Sequence, residues 1–161
     1  MDVGERELET GQVTSELDEK VYAKVLRRCA RMNGLFEARD YQGALREAHR
    51  ALTLLPEPRG QWQAATALLA GAGDALFMLG RYAEARVTFR EAVSCPDGLG
   101  NAFIHLRLGQ LEFELGNTEQ AKNELARAYM SGGDEVFANE DPKYWRFIRE
   151  SLRPPAQETR E

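Results

Sequence analysis

The chain has 161 residues, of which 43% are hydrophobic and 29% are charged, and its net charge is −5. This length suits one domain with a single core, and the composition excludes a wholly disordered chain. The sequence contains no apolar run near the roughly 18 residues that a membrane helix needs, and no basic patch that would neutralise nucleic-acid phosphates. We therefore expect a cytoplasmic protein that binds neither a membrane nor nucleic acid.

An acidic leader opens the chain. Residues 1–20 contain seven acidic and two basic residues, which account for the whole net charge, and the remaining 19 acidic and 19 basic residues balance. Because such a segment has too few apolar residues to form a core, residues 1–17 are predicted to be a disordered leader. The alternative is an arm that steers a partner by its charge. The leader has no apolar stretch of the kind found in secretory signals.

Three segments share one helical pattern, and this repetition decides the predicted fold. They span 39–56, 80–96 and 116–132, and each begins with a turn. Four apolar residues follow in each segment with increments of 4, 3 and 1, which place them on one helical face. These residues are Ala44, Ala48, Ala51 and Leu52, then Ala85, Phe89, Ala92 and Val93, and then Ala121, Leu125, Ala128 and Tyr129.

An apolar helix precedes each of these segments. These first helices are predicted near 18–37, 61–79 and 101–115. Gly73 and Gly109 both lie seven residues before their turns, at Gly80 and Gly116. Since a glycine inside a helix costs about 1 kcal/mol relative to alanine, its presence twice in the same register indicates close contact between helices. The first hairpin has Met32 in this register instead.

The paired motifs Leu108-Gly109 with Ala121-x3-Leu125, and Ala72-Gly73 with Ala85-x3-Phe89, resemble the tetratricopeptide repeat family. The resemblance covers about residues 20–131. It implies an all-α fold, a right-handed superhelix of three helical hairpins. The repeats are predicted to span about 18–56, 61–96 and 101–132.

A last helix is predicted at about 141–152, where Asp141 can cap the helix and Pro142 suits its first turn. Because a solenoid needs its open end covered, we expect a capping helix that completes a single domain of residues 18–152. The alternative is a partner-binding surface around Trp145. Residues 153–161 are predicted to be a flexible tail.

The resemblance also implies where a partner would bind, because in this family the first helices line a concave groove that holds the ligand. Phe36, Phe77 and Phe113 each lie three residues before a turn and are predicted to form a row in that groove. The alternative is that each wedges between helices or lies under the last helix. The predicted partner-binding residues are Asn33, Phe36, Asp74, Phe77, Phe103, Arg107, Gln110 and Phe113.

Neither catalysis nor metal binding is predicted. His49 and His105 have no serine or cysteine beside them in sequence, and no CxxC or HxxxH spacing indicates zinc. Cys29 and Cys95 fall in apolar helical surroundings and are predicted to be buried, reduced thiols. We therefore expect no enzyme activity, no cofactor and no metal.

Residues 95–116 and 129–148 are similar, more particularly, to small bacterial tetratricopeptide proteins of toxin-neighbouring or secretion-related loci. This resemblance implies an immunity-type protein that neutralises a cognate toxin or effector. The alternative is a chaperone for a partly unfolded client, as in type III secretion. A weaker alternative is a homo-oligomeric scaffold. In each case the partner is a protein or peptide.

Overall fold

The computed structural model describes residues 17–152, and in that range it contains seven α-helices, two short 3₁₀ helices and no β-strand. The α-helices are α1 (Glu19–Glu37), α2 (Tyr41–Leu52), α3 (Gln63–Met78), α4 (Tyr82–Val93), α5 (Ala102–Glu114), α6 (Thr118–Gly132) and α7 (Pro142–Leu152). The predicted all-α class is confirmed. The predictions for the acidic leader before Leu17 and for the tail at 153–161 lie outside the described residues. No helix within the described range is both long and apolar enough to cross a membrane.

Three hairpins stack in chain order. Helices α1 and α2, α3 and α4, and α5 and α6 pack as pairs, and the second helix of each pair contacts the first helix of the next. Helix α7 packs on α6 in the same manner, as the first helix of a further hairpin would. The predicted stack of three hairpins with a helix at its end is therefore observed.

The predicted apolar stripe of the second helices forms the core. Ten of its twelve residues are buried, including every alanine. Because alanine is short, the helix axes can approach closely along this stripe. The exceptions are Val93, which is half-buried, and Tyr129, which is 37% exposed and lies with its ring centroid 5.6 Å from that of Trp145.

Two glycines make room for a large side chain of the neighbouring helix. A Cβ atom added to Gly73 would lie 2.8 Å from the ring of Phe89, and one added to Gly109 would lie 2.5 Å from Leu125. Both distances are too short for carbon atoms in contact. The close helix contact that the glycine register predicts is therefore present in the second and third hairpins.

The first hairpin exchanges large and small residues at these positions. Met32 occupies the register of the two glycines, and Ala48 occupies the register of the large residue that faces them. Met32 is buried and its end lies against Gly71 of α3, where an added Cβ would be 2.6 Å from the methionine Cε. The first hairpin thus departs from the motif by turning its large side chain at this register toward α3 of the next hairpin.

The three hairpin turns share one backbone geometry. Arg39, Gly80 and Gly116 have positive φ angles of 60°, 73° and 81°. In each turn the amide of this residue donates to the carbonyl of the residue three before it, and the next amide donates to the carbonyl five before it. This is the Schellman motif, which satisfies the carbonyls at the end of a helix. The carbonyls that accept the first of these bonds belong to Phe36, Phe77 and Phe113.

Candidate partner-binding groove

A groove follows the seam between α1 and α3, the first helices of two neighbouring hairpins. Its apolar end is a cavity of about 740 Å³ lined by Leu17, Tyr22, Val25, Leu26, Cys29, Trp62, Gln63, Ala64 and Ala67. Its polar end is a cavity of about 250 Å³ lined by Met32, Asn33, Phe36, Glu37, Ala70, Gly71, Asp74 and Phe103. Since both cavities are lined mainly by successive turns of the same two helices, they lie in line along one seam.

The apolar end exposes large side chains around a fixed wall. Tyr22 and Leu26 are each 49% exposed. Trp62 is buried beside them, and its indole N–H donates a hydrogen bond of 2.7 Å to the carbonyl of Pro56. The bond fixes the orientation of the indole ring, so the wall is preformed. Exposed apolar side chains grouped around a cavity are typical of a site that binds another molecule.

The polar end combines aromatic walls with hydrogen-bonding groups. Asn33 and Glu37 are exposed on α1, and Asp74 faces them from α3, half-buried. Phe36 packs on Tyr41 of its own hairpin, with ring centroids 5.0 Å apart. Burial raises the pKa of Asp74, although the guanidinium of Arg107 opposes this effect. This end offers carboxylate acceptors to a donor on a partner.

Arg107 closes the groove beyond Asp74. The residue is 8% exposed, and its Nε donates to Asp74 at 2.6 Å. Its Nη1 donates to Gln110 and to Glu140, in both cases at 2.7 Å. The guanidinium also lies over the rings of Phe77 and Phe103, at 4.7 and 5.1 Å from their centroids. The protein's own groups therefore accept from the Nε and Nη1 atoms of this arginine.

Helix α7 covers the third hairpin. Phe113 packs against Tyr144 and Phe147, with ring centroids 5.5 and 5.1 Å apart. The Tyr144 hydroxyl donates to Glu114 at 2.6 Å, and Lys143 forms an ion pair with the same carboxylate at 2.5 Å. Burial opposes ionisation of Glu114, but the hydrogen bonds from Lys143 and Tyr144 outweigh it and lower the pKa of Glu114. Burial and the bond to Glu114 raise the pKa of Tyr144.

The structure divides the eight predicted partner-binding residues into two groups. Four of them, Asn33, Phe36, Asp74 and Phe103, line the polar end of the groove. The others lie toward α7: Phe77 stacks on Arg107, Gln110 is 0% exposed, and Phe113 lies under α7. The role of all eight residues in binding stays a prediction.

Sequence reasoning missed Tyr22, Trp62 and Glu140. Tyr22 lies eleven residues, or about three helical turns, before the predicted groove residue Asn33, so the same helical face contains a signal for it. Trp62 precedes α3, and Glu140 lies in the loop before α7. Because loop residues follow no helical period, no pattern in the sequence points to either of them.

Other buried polar groups serve the fold. His105 is buried and bonds to Glu124 at 2.5 Å and to the carbonyl of Leu99 at 2.7 Å. Between Leu17 and Leu152 no group of three or more His, Cys, Asp or Glu residues could hold a metal ion. The prediction of a buried thiol is correct for Cys95, but Cys29 is only half-buried. Burial raises the pKa of both thiols, which disfavours reactive thiolates.

The stacked hairpins with their Schellman turns define a tetratricopeptide-type fold, a class of helical repeat. One solved structure with this fold is the NMR structure of the first TPR domain of the human RPAP3 protein, which superposes with a TM-score of 0.59. The two sequences are 20% identical, and the match covers 79% of this chain and 88% of the other. No family model matches the sequence, and no curated protein matches it. At this identity the similarity establishes the fold alone.

Proposed function

We propose that this protein binds a segment of another polypeptide in the seam between α1 and α3. The observation that carries the proposal is the apolar end of the groove, where Tyr22 and Leu26 are each 49% exposed beside a cavity of about 740 Å³. Burying one partner side chain the size of leucine or phenylalanine there would contribute about 1.5–3 kcal/mol. A preformed apolar site with a few polar groups is typical of a binding groove.

The length of the seam defines the segment it fits. From Tyr22 to Glu37 the helix rises by about 22 Å, which equals about four turns of a partner helix or about seven residues of extended chain. Apolar side chains of the partner would lie at the apolar end. A lysine, arginine or amide would reach the polar end, because Glu37 and Asp74 can accept hydrogen bonds there. An amphipathic segment has this combination.

The first two hairpins therefore carry recognition in this proposal, and the third supports them. The Arg107 network and α7 fill the positions that would continue the groove. A partner longer than the seam would have to displace the bond from Arg107 to Glu140. A short segment would not.

Within this class we propose that the protein neutralises a cognate toxin or effector by covering the segment it binds. The resemblance of residues 95–116 and 129–148 to proteins of toxin-neighbouring loci favours this role, whereas a short seam would serve a neutraliser and a chaperone equally. The partner should form a tight one-to-one complex and should be toxic in cells that lack this protein. A chaperone instead predicts a partner that aggregates when alone. A scaffold predicts self-association, which size-exclusion chromatography with light scattering measures.

The groove can be tested with one matched pair of variants. Affinity purification with mass spectrometry identifies the partner, and its dissociation constant is then measured with purified proteins. Leu26→Arg should weaken binding at least tenfold, about 1.4 kcal/mol, because it places a charge in the apolar end. Val87→Arg is the control, since Val87 is 64% exposed on α4, outside the groove. Unchanged binding of Leu26→Arg, or equal loss in both variants with helicity preserved, would refute the seam as the site.

A further inference from the structure

A second surface of α1 is strongly basic. Lys24, Arg27, Arg28 and Arg31 follow the spacing i, i+3, i+4, i+7, so they form one stripe along the helix. Together with Leu54 they line a cavity of about 470 Å³. At 100° per residue this basic stripe lies on the side of α1 away from the groove. The expectation that the chain lacks a basic patch is therefore wrong for α1, where acidic residues elsewhere in the chain balance the count and conceal the stripe.

Most of this charge has no acidic partner in the part of the chain that the structure describes. Arg28 forms an ion pair of 2.8 Å with the buried Glu47, which Arg50 shares at 3.0 Å. Between Leu17 and Leu152, Lys24, Arg27 and Arg31 form no ion pair. Helix α1 contains no acidic residue from position 20 to position 36. The stripe therefore places like charges one helical turn apart, and these charges repel each other.

The opposite charge is concentrated in the residues that precede α1. Residues 1–16 contain five acidic residues and one basic residue. They connect directly to Leu17, at the start of the helix that carries the stripe. Sixteen residues can span at most about 50 Å, whereas Arg31 lies about 20 Å along the helix from Leu17. The segment is therefore long enough to reach every residue of the basic stripe.

We propose that residues 1–16 bind in cis to the basic stripe of α1. The opposite charges attract, and the covalent connection gives the segment an effective concentration in the millimolar range at that surface. An acidic segment of another protein would have to compete with residues 1–16 for the stripe. The contact should weaken with salt, since charges are screened beyond about 10 Å at 0.1 M ionic strength.

Paramagnetic relaxation measures this contact in the full chain. A nitroxide is attached at Leu8→Cys in a chain with Cys29→Ala and Cys95→Ala, and amide signals are compared with the label oxidised and reduced. The label should cause loss of signal intensity from residues 24–31 but none from α7. Added salt should restore the signals. The proposal would be overturned if residues 24–31 lost no signal, or if they lost no more signal than α7.

Matched charge variants identify the surface responsible. Arg27→Gln with Arg31→Gln should restore most of the lost signal. Arg146→Gln with Arg149→Gln removes two exposed arginines from α7 and should leave the signal loss unchanged. If the α7 variant restores the signal equally, the attraction is not specific to α1 and the proposal is wrong.

Two further measurements decide between cis binding and its alternatives. The first mixes spin-labelled protein with isotope-labelled protein that carries no spin label. This mixture should show no signal loss. A loss at residues 24–31 would assign the contact to a second copy and refute the cis proposal.

The second measurement serves if the cysteine-free chain fails to fold. Glu5→Gln, Glu7→Gln and Glu9→Gln are then introduced together into the natural chain without a spin label. The amide shifts of residues 24–31 should then change, and unchanged shifts would overturn the proposal.

Discussion

The same position of the first helix is exposed at one end of the hairpin stack and buried at the other. Asn33, Asp74 and Gln110 each lie six residues before a hairpin turn, and in this order they are exposed, half-buried and fully buried. At the first two hairpins the groove remains open, with Tyr22 and Leu26 at its surface. At the third hairpin the protein's own later segments fill it. Whether a groove position is free to bind a partner therefore depends on whether a later segment of the chain, such as Glu140 or α7, covers it.

The difference follows from how each end of the stack is covered. A repeat protein must shield the apolar faces of its terminal hairpins. Helix α7 covers the last hairpin by burying Tyr144 and Ile148. The first hairpin has no preceding helix in the described residues, and α1 instead carries exposed residues, the basic stripe on one side and Tyr22 and Leu26 on another. One end is thus closed by packing, and the other remains exposed in the described residues.

The largest effect should come from breaking the closed end at Arg107. The variant Arg107→Met leaves Asp74 and the Oε1 atom of Gln110 without the donor they share in a mostly buried site, and it leaves Glu140 with only the bond from Gln110 Nε2. Breaking a buried ion pair on one side costs about 3 kcal/mol or more. Urea denaturation followed by circular dichroism should show this loss in the free energy of unfolding.

Asn33→Met is the control at the open end. Asn33 is exposed, and surface substitutions of this kind change stability by about 0.5 kcal/mol or less. Equal destabilisation by the two variants would show that the ends do not differ as the structure indicates.

The phenylalanines at the two ends should also differ in how much they contribute to stability, with a smaller effect than that of Arg107. Phe113→Ala removes a ring packed between Tyr144 and Phe147 and should lower the free energy of unfolding by about 3 kcal/mol or somewhat less. Phe36→Ala should cost less stability, because Phe36 packs on Tyr41 alone among the aromatic residues. It should weaken partner binding, measured as the dissociation constant, more than it weakens the fold. A larger stability loss for Phe36→Ala than for Phe113→Ala would contradict this division.

The fold could be predicted from the sequence because it repeats. The increments of 4, 3 and 1 recur in all three second helices, and a period that recurs three times defines both the helix and its buried face. The positions of Gly73 and Gly109 predicted close contact between helices, and the structure shows that Phe89 and Leu125 make it. These features are local, so they can be found without coordinates.

The candidate site could be predicted only in part. The register placed Asn33 and Asp74 on the groove side, but it could not show that Glu140 reaches Arg107 from 33 residues away in sequence. Nor could it show that Met32 fills the space over Gly71 and so shapes the polar end. Contacts between distant segments depend on packing, which no helical period encodes.

The smallest predicted effect concerns the turn of the first hairpin. Arg39 holds a φ angle of 60°, whereas glycine holds the same left-handed position in the other two turns. A residue with a side chain is strained in this conformation by about 1–2 kcal/mol, and glycine would relieve that strain. Glycine also increases the conformational entropy of the unfolded chain, which offsets part of the stability gained. Arg39→Gly should therefore raise the free energy of unfolding by about 0.5–1 kcal/mol.

The reverse substitution tests the same turn geometry. Gly80→Arg should lower the free energy of unfolding by a similar amount, since both side chains point into open solvent and only the backbone conformation changes. Thermal and urea denaturation of the two variants measure the difference. If Arg39→Gly leaves stability unchanged while Gly80→Arg lowers it, Arg39 does not hold the left-handed conformation that Gly80 holds. The Schellman hydrogen bonds of Arg39 and Asp40 would then not form in solution, and the end of α1 that lines the seam would be less rigid than the structure shows.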